Sequence, residues 1–262
     1  MPKPSRRTSV PPMDPTAWTP TPARPLRAKQ RRLAGDTRIE PHSHPWGQLA
    51  MSSTGTIRMT AAHSTFLVPP SRALWIPPDV EHVVTTVEDA EIRTLYIHPL
   101  AALWPECRVL EVSNLLRELV LHLDVEPGAR PTTPREQHLT ALLLDELRAA
   151  APVRLGVDLP ADKRLRSLCE AVLEQPARWA TIHSLAHHAG ASPRTVARLF
   201  RSELGTSFGQ WRQQVLLAHA LSLAARKLPM ASIAAELGYA SPSAFTAMVK
   251  RTLGAPPTHF FA

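Results

Sequence analysis

The chain has 262 residues, 44% of them hydrophobic, and a formal net charge of +8. That length suits one large or two ordinary domains with real cores, and no run of about 18 apolar residues is present to span a membrane. Only Cys107 and Cys169 occur, far apart in the chain, which argues against a disulfide framework or a zinc finger and fits a reducing cytoplasm.

Residues 1–37 are basic and Pro-rich and lack the apolar core of a secretion signal. They read as a disordered basic arm. Charge is unevenly spread: residues 1–40 carry a net +6, residues 41–160 a net −5 and residues 161–262 a net +7. Basic ends around an acidic middle are the pattern of a nucleic-acid-binding segment joined to a domain that does not bind it.

Residues 38–100 read as a small β-barrel or double sheet. "GQLAMS", "GTIRMTA", "STFLVPP", "RALWIPP", "HVVTTV" and "EIRTLYI" are short, rich in β-branched and aromatic residues, and separated by turns. Within them "PHSHPWGQL" sets His42 and His44 one residue apart. In an extended strand both point to one side, where His82 from another strand can join them. Residues 101–150 read as a helical packing or dimerisation segment, with helical spacing over Leu110–Leu123 and Glu136–Ala149. Residues 151–162 read as a linker.

From residue 163 onward the pattern is helical and contains a repeat. "ASPRTVARLFRSELG" (Ala191–Gly205) returns as "ASPSAFTAMVKRTLG" (Ala240–Gly254), with Ala, Ser, Pro, Leu and Gly recurring at an offset of 49. Each copy reads as a helix, a tight Gly turn, and a second helix capped by Ser with Pro at its first position: a helix-turn-helix. In the first copy Val196, Leu199, Phe200 and Leu204 share an inner face, while Arg194, Ala197, Arg198 and Arg201 face out. In the second, Phe245, Met248, Val249 and Thr252 are expected to pack, with Ser243, Ala244, Thr246, Ala247 and Lys250 outside. An apolar back and an Arg-bearing front suit a helix that enters the DNA major groove. The intervening "SFGQWRQQVLLAHALSLAAR" makes a helix of about 30 Å, close to the roughly 34 Å of one DNA turn.

Residues 161–262, including the closing "GAPPTHF", resemble the DNA-binding domain of the AraC/XylS family of transcription regulators. The resemblance implies an α+β multidomain protein: an N-terminal cupin-like barrel, then an all-α domain of two helix-turn-helix units joined by a long helix. It implies that Arg194, Thr195, Ala197 and Arg198, with Ser243, Ala244, Thr246 and Ala247, sit at base-reading positions. It further implies double-stranded DNA and a small-molecule effector as partners, and a homodimer.

The barrel segment is also similar to the cupin motifs. His42 and His44 are followed by Gln48 where cupins have Glu, then by Gly55. "PPDVEH" matches at Pro77 and His82, with Asp79 in place of Gly. His42, His44, Gln48 and His82 therefore stand where metal cupins hold a divalent transition metal. Trp46, Gln48, Arg72 and Trp75 are candidate effector contacts. Three readings of the histidines follow: a metal site, the lining of an organic-effector pocket, or packing. A different class, a metal-dependent cupin enzyme of oxygenase or isomerase type, would need a general acid or base that no motif selects.

Overall fold

Side chains that alternate between two faces build the first half of the chain, and helical spacing builds the second. The computed structural model describes residues 8–101, 103–123, 125–128, 131–153, 156–254 and 256–260. They fall into two units, Met1–Ala62 with Phe66–Arg154, and His63–Thr65 with Leu155–Ala262.

The strands of the first unit are β1 (Thr8–Val10), β2 (Leu26–Leu33), β3 (Thr37–His42), β4 (Gly47–Thr54), β5 (Ile57–Ala61), β6 (Ser64–Val68) from its third residue on, β7 (Arg72–Ile76), β8 (His82–Thr86), β9 (Ala90–Ile97), β10 (Arg108–Glu111) and β11 (Pro152–Val153). One sheet runs β11-β10-β7-β4-β9-β2. In the other, β1, β3, β8, β5 and β6 are successive neighbours. β1 lies parallel to β3, whereas β2, β4 and β9 form a continuous antiparallel block.

The period of two decides what each strand offers. On β4, Leu49 and Met51 face helices, while Gln48 and Ala50 face the space between the sheets. On β9, Leu95 and Ile97 face the helices, and Ile92, Thr94 and Tyr96 face inward. The outer face is covered by α1 (Asn114–Leu121) and α2 (Pro134–Ala149), whose Leu116, Leu119, Val120, Leu143 and Leu147 join Leu49, Met51, Trp75 and Leu95 in one core. Each such side chain, fully buried, contributes about 1.5–3 kcal/mol relative to exposure. Thr133 and Glu136 close the start of α2 as a reciprocal capping box.

Three expectations about boundaries need correction. The expected arm is not an arm throughout. Leu26–Leu33 pairs residue for residue with β9, from Leu26 opposite Ile97 to Leu33 opposite Ala90. Its basic residues hide an alternation in which Leu26 and Ala28 reach the helix-side core and Lys29 and Arg31 point inward. Residues 1–7 lie outside the described residues. The expected helix at Leu110–Leu123 begins only at Asn114, because Ser113 caps it by accepting from the Leu116 N–H. Arg108–Glu111 is instead a strand against β7. The expected linker is partly strand: Pro152 and Val153 pair with Leu110 and Val109, and β12 (Gly156–Asp158) follows.

In the second unit β12 runs beside residues 63–65. The Leu159 N–H donates to the His63 carbonyl at 2.8 Å, and the Ser64 hydroxyl donates to Asp158 at 2.6 Å. Helices α3 (Lys163–Glu174), α4 (Ile182–His188), α5 (Pro193–Leu204), α6 (Phe208–Ala225), α7 (Met230–Glu236), α8 (Pro242–Leu253) and α9 (Pro257–Phe260) complete it. The repeat is visible in backbone detail. Ser192 and Ser241 each accept a hydrogen bond from the third residue of the following helix, and Pro193 and Pro242 open it. Gly205 and Gly254 end the two helices at φ of +62° and +80°, where a side chain would be strained. The central α6 is buried around most of its girth, with Phe208, Trp211, Val215, Leu217 and Leu221 all inside. Leu216, Leu217, Ala220 and Leu223 pack against Ile233, Phe245, Met248 and Val249 of the second unit's repeat. Phe200 stacks edge-on against both Phe208 and Trp211, tying α5 to α6.

Candidate DNA interface and effector cavity

Both helix-turn-helix units present the expected faces. On α5, Val196 and Phe200 are buried while Arg194, Thr195, Arg198 and Arg201 are exposed and Ala197 is half-buried. The Thr195 hydroxyl lies 2.9 Å from the Ser192 hydroxyl, so the cap already engages it. On α8, Phe245, Met248 and Val249 are buried; Ser243, Ala244, Ala247 and Lys250 are exposed and Thr246 is half-buried. Thr252 departs from expectation: it is exposed and its hydroxyl bonds back to the Met248 carbonyl at 2.9 Å. A hydroxyl at the end of a helix can satisfy itself on the preceding turn and gains nothing from burial. The fronts differ in chemistry. α5 offers three guanidinium groups that can grip guanine, whereas the first turns of α8 offer only small side chains.

The three histidines do come together. Ring centroids are 4.3 Å apart for His42 and His82, 5.2 Å for His44 and His82, and 6.4 Å for His42 and His44. His42 and His82 are opposite one another across the β3–β8 pair. Each ring bonds a backbone carbonyl through Nδ1: Glu40 at 2.8 Å, Trp46 at 2.8 Å and Val80 at 3.0 Å respectively. Such bonds hold the rings rigidly and direct Nε2 elsewhere. His44 Nε2 lies 2.8 Å from Gln48 Oε1, so neither of its nitrogens is left over. His82 Nε2 is buried and has no hydrogen-bond partner among the described residues. Burial holds His82 down to about 3, outweighing its bond to Val80, with His42, His44 and Lys29 adding repulsion. Burial likewise lowers His42.

A metal at this cluster does not fit the arrangement. Among the described residues no group of three or more His, Cys, Asp or Glu is placed so that it could hold an ion. Gln48 stands where the cupin pattern has Glu. The amide brings no charge to an ion and instead occupies the Nε2 of His44.

A cavity of about 40 Å³ lies between the sheets beside this cluster. Its polar wall is formed by Lys29, Arg31, His42, Gln48, Thr94 and Tyr96, and its apolar wall by Ile39, Ile57, Met59, Val84 and Ile92. Pro12 and Met13 also line it. Of the expected effector contacts, Gln48 lines this cavity, and Trp46 stacks on His44 at 5.4 Å, its indole N–H buried and unpartnered among the described residues. Arg72 and Trp75 do not line it. Trp75 belongs to the helix-side core, its indole N–H donating to the Trp104 carbonyl at 2.9 Å. Arg72 bonds the Ser71 carbonyl at 2.9 Å and faces Glu111 at 3.8 Å. A neighbouring strand position does not say which face a side chain takes, and a one-residue shift reverses it.

Lys29, Arg31, Thr94 and Tyr96 were not singled out from the sequence. Lys29 Nζ donates to the Tyr96 hydroxyl at 2.8 Å and sits 5.2 Å from the Tyr96 ring and 5.8 Å from the Trp18 ring. Burial, with Arg31 as a like charge, brings Lys29 down to about 8, and burial pushes Tyr96 upward. The alternation Leu26, Ala28 against Lys29, Arg31 was the available signal, hidden inside a run that reads as a basic tail.

A β-rich unit enclosing a polar-walled cavity, followed by a duplicated helix-turn-helix, defines a ligand-responsive DNA-binding regulator. The AraC-like ligand binding domain matches residues 27–169 and a helix-turn-helix domain matches residues 185–262. The chain is 34% identical over 222 residues to the HTH-type transcriptional regulator NimR of Escherichia coli strain K12, covering 84% of this chain and 81% of that protein. It is 30% identical over 118 residues to the Arabinose operon regulatory protein of the same strain, covering 44% of this chain and 40% of that one. Among solved structures it is similar to ToxT from Vibrio cholerae, with 10% identity, a TM-score of 0.37, and coverage of 90% of this chain and 98% of that one. The chain belongs to the AraC family of transcriptional regulators. It binds DNA, responds to a small molecule, and is a regulator rather than an enzyme. No helix among the described residues is long and apolar enough to cross a membrane.

Proposed function

We propose that the effector enters the cavity between the two sheets, and that α5 provides most of the sequence discrimination on DNA. The observation that carries the first part is the polar wall of that cavity, whose cations have no carboxylate partner among the described residues. A larger cavity of about 290 Å³ lies between the start of β2, Leu123 and α2. There Arg24 and Glu136 pair at 2.8 Å and satisfy one another's charge, so that space presents no comparable demand. Effector occupancy shifts the population between states that hold the DNA-binding units differently. Exposed Leu115 on α1 and Leu142 on α2, 47% and 44% accessible, support a homodimer through these helices.

On DNA, Arg194, Arg198 and Arg201 reach base edges or phosphates, and Ser243, Ala244, Thr246 and Ala247 make closer, smaller contacts in a second groove segment. Binding-site selection from random duplexes, followed by titration of Arg198→Ala, tests this. Loss of a bidentate guanine contact costs about 1–3 kcal/mol, or roughly tenfold to a hundredfold, on the selected duplex. Random duplex should be nearly unaffected. Equal losses on both would make Arg198 a phosphate contact and overturn the assignment.

A further inference from the structure

We infer that the effector is a small organic acid whose carboxylate is held by Lys29 and Arg31, with its apolar body against Ile57, Met59, Val84 and Ile92. The inference rests on the cavity between the sheets being the effector site and names the chemistry that site takes. Among the described residues, every charged or titratable side chain on its wall is a cation, an imidazole or a phenol, and none is an acid. Two strands supply this one-sided set. β2 turns Lys29 and Arg31 inward, and β9 turns Thr94 and Tyr96 toward them.

Lys29 is the centre of the argument. Its ammonium is held by a neutral phenol and two aromatic faces, Tyr96 and Trp18. Among the described residues it makes no ion pair. A partly desolvated cation without an anion carries a cost, and a ligand carboxylate relieves that cost directly. The low position of Lys29, about 8, has the same origin in burial. By contrast Glu91, the acid nearest along β9, is taken by Gln30 and by Arg32 on the other side of β2.

Size limits the acid. The free space of about 40 Å³ takes only one to a few waters. A ligand with an organic body therefore displaces Met13, whose unbranched side chain moves readily. This restricts the class to acids with a short chain or a single ring.

The test uses the full chain and two matched pairs of probes: propionate against propionamide, and benzoate against benzamide, read by calorimetric titration at pH 7. At least one acid should bind at least tenfold tighter than its amide. Lys29→Met should erase that preference, and Lys29→Arg, which keeps the charge, should retain it. Equal binding of acid and amide, unchanged acid binding in Lys29→Met, no binding of either acid, or inorganic phosphate binding as tightly as both acids would each overturn the inference. Affinity for a selected duplex is measured in parallel. If an amide binds and changes DNA affinity while the acids do not, the effector site stands and the acid class falls. If an acid binds through Lys29 and DNA affinity stays constant, the acid class stands and the coupling to DNA falls.

Discussion

Replacing Lys29 by Met removes a half-buried charge with little change in side-chain volume. In the folded chain Lys29 is lowered from its usual 10.5 to about 8, chiefly by burial and secondarily by Arg31. At about 1.4 kcal/mol per tenfold change, that displacement is a penalty on the folded state of about 3 kcal/mol wherever Lys29 is charged in both states. The sign follows from proton counting. Below pH 8 both states carry the proton and the penalty is fully present. Between pH 8 and 10.5 the folded chain has released it while the unfolded chain retains it, so wild-type stability rises with pH. Burial keeps Tyr96 protonated and His42 and His82 neutral across this window, so none of these three titrates against Lys29. The variant loses the bond to Tyr96, worth about 1 kcal/mol. Lys29→Met should therefore be more stable than wild type by about 1–3 kcal/mol at pH 7, and that advantage should shrink by about 3 kcal/mol by pH 10.5. Urea unfolding of both proteins from pH 7 to 10.5 measures this. A difference that stays constant over the range, or a variant destabilised at pH 7, would show that Lys29 is not desolvated in the fold.

Acid should expose His82 in the opposite part of the scale. It is held at about 3 in the fold against an ordinary 6.5, so its contribution is present above 6.5 and is lost as pH falls toward 3, by up to about 4–5 kcal/mol. The stability of His82→Leu should fall less steeply over pH 6.5–4 than that of wild type, with His42, His44 and Lys29 as the groups beside it; parallel slopes would remove His82 from the acid response. Gly47 has no room for a side chain, because a Cβ there would meet the Trp75 ring at 2.1 Å. Gly47→Ala should cost about 1–3 kcal/mol, and Trp75→Leu in the same chain should restore part of the loss relative to the two single changes added together. Strict additivity in that double-mutant cycle would disprove the contact.

Several features were open to a reading of the sequence because they are local. The duplicated Ser-Pro caps and Gly turns fix helix ends through bonds that span only a few residues, and the structure shows those bonds at Ser192 and Ser241. The six strands between Gly47 and Ile97 were recognisable from β-branched content and turns, and all six are present. The outward faces of α5 and α8 followed from helical spacing, with Thr252 the exception, since an exposed hydroxyl and a packed one look alike in a periodic pattern.

What failed depended on partners distant in the chain. β2 looks like a tail until β9, some 60 residues on, supplies its hydrogen bonds. Trp75 and Arg72 looked like pocket residues, but strand register turned Trp75 to the helices and spent Arg72 on Ser71 and Glu111. The histidines were correctly grouped by motif spacing. Their use was not legible, because it depends on where three Nδ1–H groups and one Gln48 amide find partners.

The sequence by itself therefore determined the two-part plan and the outward faces of α5 and α8, since caps, turns and helical period act over short distances. Only the tertiary structure decided that a basic stretch enters the sheet and brings Lys29 and Arg31 to face His42 and Tyr96. That placement is a matter of which strand pairs with which, and pairing is chosen by the burial of a whole face rather than by any residue in the strand.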